Sequence, residues 1–300
     1  MTACGFLGFG EVASRFTERL RECGARVLAY DVVLDRSGGR DALAARAVGA
    51  PPEFQTLADV IAQADVLLST VTTDKALSVA KDCAPLLRAG QFYVDLNATS
   101  PSIKLETASV IARSRADFVE GAILSAVGVA GADAKVLLAG VRAVEVTGTL
   151  SNLGLNVHAY GTEIGKASSF KMLRSVFSKG LEALLVECLL AARHAGIEQA
   201  LWQEIVSTID AASFDDVGGN WLRTHATAHT RRYHEMLQVA DVLRELHVDA
   251  PMTSATVALF ERSTRLALND AFPEPPASVD DVTAALDARL DAFSNGKQAR

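Results

Sequence analysis

Long apolar runs are absent: no uninterrupted stretch in the 300 residues reaches the roughly 18 that a membrane span requires. An excess of basic charge is also absent, because 29 Lys and Arg stand against 36 Asp and Glu, and a net charge of −7 argues against a nucleic-acid footprint. The N-terminus leads directly into a strand pattern without a charged leader, so we expect no secretory signal. These absences predict a cytoplasmic protein that binds neither membranes nor nucleic acids.

Cysteine is scarce and scattered. The four cysteines, at positions 4, 23, 83 and 188, show neither paired nor metal-type spacing. Isolated cysteines of this kind are typical of small buried residues in a reducing compartment. We therefore predict no metal site.

The first segment that carries chemistry is a glycine turn between two strand patterns. Residues 2–8 predict a buried strand, the sequence from Gly8 to Ala13 has the form GxGxxA, and residues 26–31 predict a second strand that ends in Asp31. In dinucleotide-binding proteins the glycines let backbone N–H groups approach a pyrophosphate, and the acid accepts hydrogen bonds from the adenosine ribose. The pattern predicts a dinucleotide site, although a glycine turn needed only for packing would look the same.

Strand and helix patterns alternate over residues 1–160 and then give way to helices alone. Further strands are expected at 64–71, 91–96, 117–123, 135–140, 144–147 and 156–159. Helices are expected at 57–62 and 102–114, and residues 72–74 should cap a helix that runs through residue 79. Helices are expected at 163–195, 198–212, 215–228, 229–246, 250–268 and 279–293. We predict an α/β dinucleotide-binding domain of Rossmann type with a parallel-rich sheet (1–160), and an all-α substrate and dimerisation domain (161–300). The long helix should connect the two.

Lys171 lies in the first turns of that long helix, beside several small residues. A lysine at such a position can transfer a proton, because burial and neighbouring charges shift its pKa readily. The helix alone is equally compatible with a solvated lysine.

Four segments, in order, resemble the β-hydroxyacid dehydrogenase superfamily, which includes 3-hydroxyisobutyrate dehydrogenase and 6-phosphogluconate dehydrogenase. They are GFLGFGEVA at 5–13, DLNATSP at 95–101, EGAILSAVGVAGADAKVLLAG at 120–140 and GKASSFKMLRS at 165–175. The sequences KMLRS at 171–175 and KGLEALL at 179–185 resemble the subgroup with a phosphogluconate-dehydrogenase-type C-terminal domain.

The resemblance implies a nicotinamide-dependent dehydrogenase with Lys171 as its proton donor or acceptor. The implied cofactor-binding residues are Gly8, Phe9, Gly10, Glu11, Val12, Asp31, Val71, Thr72 and Asn97, and the implied substrate-binding residues are Ser125, Ala126, Arg174 and Ser175. Ser125 could equally belong to a tight loop, and Arg174 to a structural ion pair.

Two positions depart from the family pattern and bear on the substrate. Arg174 and Ser175 replace two asparagines, and the loop at 124–130 is almost wholly apolar. Arginine suits an anionic group or a flat ring. We therefore expect a hydroxyacid or carbonyl substrate with a bulky, even aromatic, substituent.

The cofactor and the oligomeric state follow from other features. Asp31 would repel a 2′-phosphate, and apart from Arg36 no arginine is near it in the sequence, so NAD is expected in preference to NADP. The helix at 163–195 is apolar on more than one face, which predicts a homodimer through the helical domain. Two alternatives remain open: an imine reductase of the same fold, and a non-catalytic dinucleotide-binding sensor.

Overall fold

A computed structural model describes residues 1–298, and its N-terminal part is built on one eight-stranded sheet. The strands are β1 (Ala3–Leu7), β2 (Arg26–Tyr30), β3 (Glu53–Phe54), β4 (Val66–Ser69), β5 (Phe92–Asp95), β6 (Asp117–Ile123), β7 (Val136–Ala139) and β8 (Val157–Gly161). Their order in the sheet is β3-β2-β1-β4-β5-β6-β7-β8. Adjacent strands are parallel except β6 and β7, which are antiparallel. This mostly parallel sheet confirms the predicted fold class.

Helices connect the strands and cover both faces of the sheet. They are α1 (Glu11–Glu22), α2 (Gly39–Ala44), α3 (Leu57–Gln63), α4 (Ala76–Cys83), α5 (Pro101–Ile111), α6 (Val127–Ala130) and α7 (Ala143–Asn152). Successive strand residues point to opposite faces, so Phe6 packs in one apolar cluster and Leu7 in the other. Strands buried on both faces explain the near-continuous apolar runs of the sequence. The layering also brings the carboxyl ends of the parallel strands to one edge.

The long helix α8 (Lys166–His194) follows the last strand. The chain divides into two compact units, 1–176 and 177–300, so the division falls inside this helix. The expected boundary at residue 160 marks only the point where the strands end. The first turns of α8 remain with the sheet because Ala167 packs on Ala122, Leu137 and Ala139.

The second unit contains the rest of α8 and the helices α9 (Glu198–Asp210), α10 (Phe214–Glu245), α11 (Pro251–Arg265) and α12 (Val279–Gln298). Its buried apolar cluster is small and consists of Ala191, Leu243 and Val248. Glu187 is buried on α8 and accepts hydrogen bonds from the backbone N–H groups of Met252 and Thr253, at 2.7 and 2.8 Å. A carboxylate from α8 therefore caps the start of α11.

A histidine pair lies within α10. The rings of His225 and His229 are 5.7 Å apart, and Nε2 of His225 lies 2.9 Å from the Ser263 hydroxyl. Burial is the main cause that lowers the pKa of His225 to about 4, and the neighbouring His229 adds to the effect. This histidine is therefore neutral in the folded protein at neutral pH.

Three local predictions were wrong. Residues 144–147, expected as a strand, belong to α7, where Ala143, Val146 and Leu150 form the buried face at helical spacing. The helices expected at 215–228 and 229–246 are one continuous helix, α10, since neither glycine nor proline interrupts residues 221–237. The turn at 72–74 does not cap α4, which begins at Ala76 after Lys75.

Within residues 1–298, none of the helices is both long and apolar enough to cross a membrane.

Candidate active site

The glycine turn between β1 and α1 has the backbone geometry that a dinucleotide requires. Gly8 has φ +87°, and a Cβ there would lie 2.8 Å from Cγ1 of Val71, so only glycine fits. A Cβ on Gly10 would meet no atom within 4 Å, so the space in front of this residue is open. Gly10 is the N-cap of α1 and supplies no side-chain cap. Free N–H groups at the start of a helix bind anions, so the turn fits a pyrophosphate.

Asp31 lies directly after β2 and faces this turn. Its Oδ2 accepts a hydrogen bond from the N–H of Phe9 at 2.8 Å, and its Oδ1 accepts one from Val33 at 2.9 Å. Each carboxylate oxygen can accept more than one hydrogen bond, so both can still bind ribose hydroxyls. The side chain of Phe9 points into the core, and its N–H is directed at Asp31. Of the predicted turn residues, Gly8, Gly10 and Val12 line the cavities beside the turn.

Three cavities follow one another along the carboxyl edge of the sheet. The first, of about 530 Å³, is lined by Gly8, Gly10, Asp31 and Arg46 among others. It shares Thr70, Val71 and Thr72 with the second, of about 390 Å³, which also contains Val12 and Ser125. The second shares Asn97, Ala98 and Lys171 with the third, of about 190 Å³. Seven of the nine predicted cofactor-binding residues therefore line the same row of cavities as Lys171; Phe9 and Glu11 do not line them.

Lys171 is half-buried between the second and third cavities. Among the described residues that line these two cavities, it is the one with a titratable side chain. No described residue accepts a hydrogen bond from its Nζ or forms an ion pair with it. Burial lowers the pKa of Lys171, and the nearby charge of Lys104 lowers it further. The amine is thus placed to exchange a proton with a molecule in the crevice.

Asn97 is held rigidly in front of Lys171. Its Nδ2 donates to Asp95 Oδ1 at 2.6 Å and to the Ser69 hydroxyl at 2.9 Å, and its backbone N–H donates to Asp95 Oδ1 at 3.0 Å. Its Oδ1 is buried and has no hydrogen-bond partner among the residues the structure describes. Asn97 therefore has an unpaired amide oxygen at the wall of the second and third cavities.

The N-terminus of α8 is fixed by a carboxylate from the sheet. Glu120, fully buried on β6, accepts hydrogen bonds from the backbone N–H groups of Gly165 and Ser168. A negative charge at this end of a helix is stabilised by the helix dipole. The contact sets the position of Lys171, one turn further along.

Two predicted substrate residues lie outside these cavities. Nη1 of Arg174 donates to the carbonyl of Leu124 at 2.7 Å, and neither Arg174 nor Ala126 lines the second or the third cavity. Three residues along an α-helix correspond to a rotation of about 60° away from Lys171. Ser175, rotated by only about 40°, does line the third cavity. Arg174 therefore holds the 124–130 loop instead of facing the space beside Lys171.

The sequence did not predict three buried charged residues near the site: Asp95, Lys104 and Glu120. A weak signal was present, because Lys104 shares the buried face of α5 with Thr107 and Ile111 at helical spacing. A lysine on the buried face of a helix needs an acidic or polar partner, but the sequence alone does not show which acid is that partner.

Comparisons with known proteins show the family and the fold of the chain. Residues 3–99 match the family described as NADP oxidoreductase coenzyme F420-dependent, and residues 192–263 match a domain of unknown function, DUF1932. A conserved hypothetical protein from Sinorhizobium meliloti 1021 is 34% identical, with 96% of this chain and 97% of that chain covered and a TM-score of 0.61. The conserved protein MTH1747, described as of unknown function with structural similarity to 3-hydroxyacid dehydrogenases, is 33% identical over 89% of this chain and 98% of its own, at TM-score 0.59.

A more distant similarity concerns the fold alone. An imine reductase from Pseudomonas sp. is 17% identical, with 95% of this chain and 99% of that chain covered and a TM-score of 0.68. The dinucleotide-binding oxidoreductase fold is thus common to hydroxyacid dehydrogenases and imine reductases.

Proposed function

Because the chain belongs to the β-hydroxyacid dehydrogenase superfamily, we propose that it is an NAD(P)-dependent oxidoreductase acting on a hydroxyacid or a related alcohol or carbonyl compound. Lys171 is its proton donor or acceptor. The observation that carries this proposal is the position of Lys171. It is the titratable side chain that lines the crevice beyond the dinucleotide turn, within the part of the chain that the structure describes.

Different residues of the crevice bind different parts of the cofactor. Gly8, Gly10 and the N-terminus of α1 hold the pyrophosphate, and Asp31 binds the adenosine ribose. Val71, Thr72 and Asn97 lie where the nicotinamide end would reach. When bound, the nicotinamide supplies or accepts the hydride.

Lys171 acts on the oxygen of the substrate. In the direction of reduction its ammonium donates a proton to the carbonyl oxygen, and its positive charge stabilises the alkoxide that develops there. In the direction of oxidation the neutral amine accepts the hydroxyl proton. The lowered pKa of Lys171 favours this second state compared with an exposed lysine.

NAD is the preferred cofactor in this proposal. The carboxylate of Asp31 stands at the end of β2, where it binds ribose hydroxyls and repels a 2′-phosphate. Arg46, and not Arg36, is the arginine that lines the same cavity. It is the residue through which NADP would be accommodated.

The substrate carries an apolar substituent. The lining near Lys171 includes Leu96, Ile123, Val127 and Met172, and Arg174 is engaged by Leu124. A neutral, mostly apolar wall favours a bulky or aromatic group over a second charged one.

We also propose that the protein is a homodimer joined through its helical unit. Leu181, Leu184, Val186 and Leu190 on α8 are between 41% and 64% exposed, while the buried apolar cluster of this unit is small. Exposed apolar side chains on more than one face of a helix mark an interface, and a two-fold dimer is the commonest solution.

A substrate screen with both cofactors tests the proposal. Turnover of aryl- or longer-chain hydroxyacids and the corresponding carbonyl compounds is measured by nicotinamide fluorescence beside 3-hydroxyisobutyrate, glycerate and cyclic imines. We expect the bulky hydroxy and carbonyl compounds to be turned over fastest. Faster turnover of imines would identify an imine reductase, and cofactor binding without any turnover would identify a sensor.

A further inference from the structure

Lys104 is a fully buried lysine whose ammonium donates hydrogen bonds to backbone carbonyls of β5, of the residues that follow it, and of β6. Its Nζ donates to the carbonyl of Asp95 at 2.8 Å, to that of Asn97 at 2.8 Å and to that of Gly121 at 3.3 Å. Asp95 and Asn97 lie at the end of β5, and Gly121 lies within β6. One side chain from α5 therefore joins the two strands that form the floor of the third cavity.

The same ammonium also acts on the Asn97 side chain, through Asp95. Nζ of Lys104 lies 3.3 Å from Asp95 Oδ2, while Oδ1 of the same carboxylate accepts both hydrogen bonds from Asn97. The chain of contacts from Lys104 through Asp95 thus ends at Asn97, which lines the second and third cavities.

Stability alone does not explain a lysine at this position. Replacing a buried ion pair by apolar residues of similar volume is often neutral or stabilising, because both charges must be desolvated. Burial lowers the pKa of Lys104, while the facing acids Asp95 and Glu120 act in the opposite direction. The charge of Lys104 lies close enough to Lys171 to lower the pKa of the Lys171 amine.

We propose that Lys104 is a positioning residue of the active site: it ties the end of β5 to β6, fixes Asn97 through Asp95, and places its ammonium near Lys171. This inference rests on the proposed function, in which Lys171 exchanges the proton. It gives α5 a positioning role in the reaction, separate from the roles of the dinucleotide turn and of α8.

The test measures the protonation of Lys171 without any substrate. The full-length protein is labelled with trace acetic anhydride over a range of pH, and mass spectrometry gives the labelling midpoint of each lysine. In the wild type, Lys171 should have a lower midpoint than the exposed Lys166. In Lys104→Met, the midpoint of Lys171 should move to higher pH because a neighbouring positive charge is lost, whereas that of Lys166 should stay. Lys81→Met, the same substitution on the exposed side of α4, is the matched control.

A second variant covers the case in which Lys104→Met leaves Asp95 buried and unpaired and does not fold. The double variant Asp95→Asn/Lys104→Met removes both charges and should retain thermal stability and NADH binding. Its Lys171 midpoint should also rise. Once a substrate is known, either variant should lose about 10- to 100-fold in kcat.

The results separate the two claims. An unchanged Lys171 midpoint in folded variants, or a wild-type midpoint no lower than that of Lys166, would overturn the role of Lys104. A wild-type protein that reduces no carbonyl compound would refute the proposed function, while the labelling midpoints would still decide whether Lys104 acts on Lys171.

Discussion

Replacing Lys171 with alanine should abolish most of the turnover and leave cofactor binding intact. A general acid or base contributes about 10²- to 10⁴-fold to a rate, which corresponds to about 2.7–5.4 kcal/mol of transition-state stabilisation. No other described residue lining the second and third cavities has a titratable side chain, so no neighbour should replace Lys171 as proton donor or acceptor. Lys171 is absent from the lining of the first cavity, so the affinity for the dinucleotide should not change.

Steady-state kinetics and cofactor fluorescence measure the two effects separately. Lys166→Ala is the matched control, because Lys166 lies on the same helix, is exposed and makes only a surface ion pair with Glu163, at 3.6 Å. In the wild type, the reductive rate should fall as the pH rises through the pKa of Lys171, and that limb should vanish in Lys171→Ala. A Lys171→Ala enzyme with kcat within tenfold of the wild type would refute the assignment.

Three further predictions concern the cofactor, the pH dependence of stability and the oligomer. The wild type should show the higher kcat/KM with NAD, and Asp31→Ser should raise the NADP to NAD ratio by about tenfold or more, because a charge that repels the 2′-phosphate is lost; an NADP-preferring wild type would contradict this. The folded pKa of His225, about 4, lies below its ordinary value of 6.5, so the unfolded chain binds more protons between these values. The free energy of unfolding should therefore drop by about 1–2 kcal/mol from pH 7 to pH 5, and urea titrations should show less loss in His225→Gln. Light scattering at micromolar concentration should give a dimer, which Leu184→Glu should dissociate; a monomeric wild type would rule out the interface.

The parts of the fold that follow from local pattern were predictable. The strand ending at Tyr30 and the turn at Gly8 were predicted almost to the residue, because buried parallel strands and glycine turns have strong signatures. The segment at 144–147 was misread because a short alternation of valine with polar residues fits a strand and one face of a helix equally well. A short apolar segment does not separate the two until its packing partners are known.

The site was predictable where the chemistry lies in one segment and not where it joins several. The motif around Lys171 predicted its presence beside the dinucleotide crevice. The orientation of Arg174 depended on a carbonyl of Leu124, fifty residues earlier, and the partners of Lys104 come from two strands. Contacts of this kind depend on tertiary geometry, which spacing along the chain does not encode.

The cap that Glu187 provides to α11 has a consequence for the order of folding. The first residues of α11 have no cap of their own, since Ala250 makes no side-chain hydrogen bond at that end. The N–H groups of Met252 and Thr253 are satisfied by a carboxylate more than sixty residues earlier in the chain. The start of α11 is therefore completed only after α8 has docked against it. In hydrogen exchange these two amides should open together with α8, and not with the turn that precedes them.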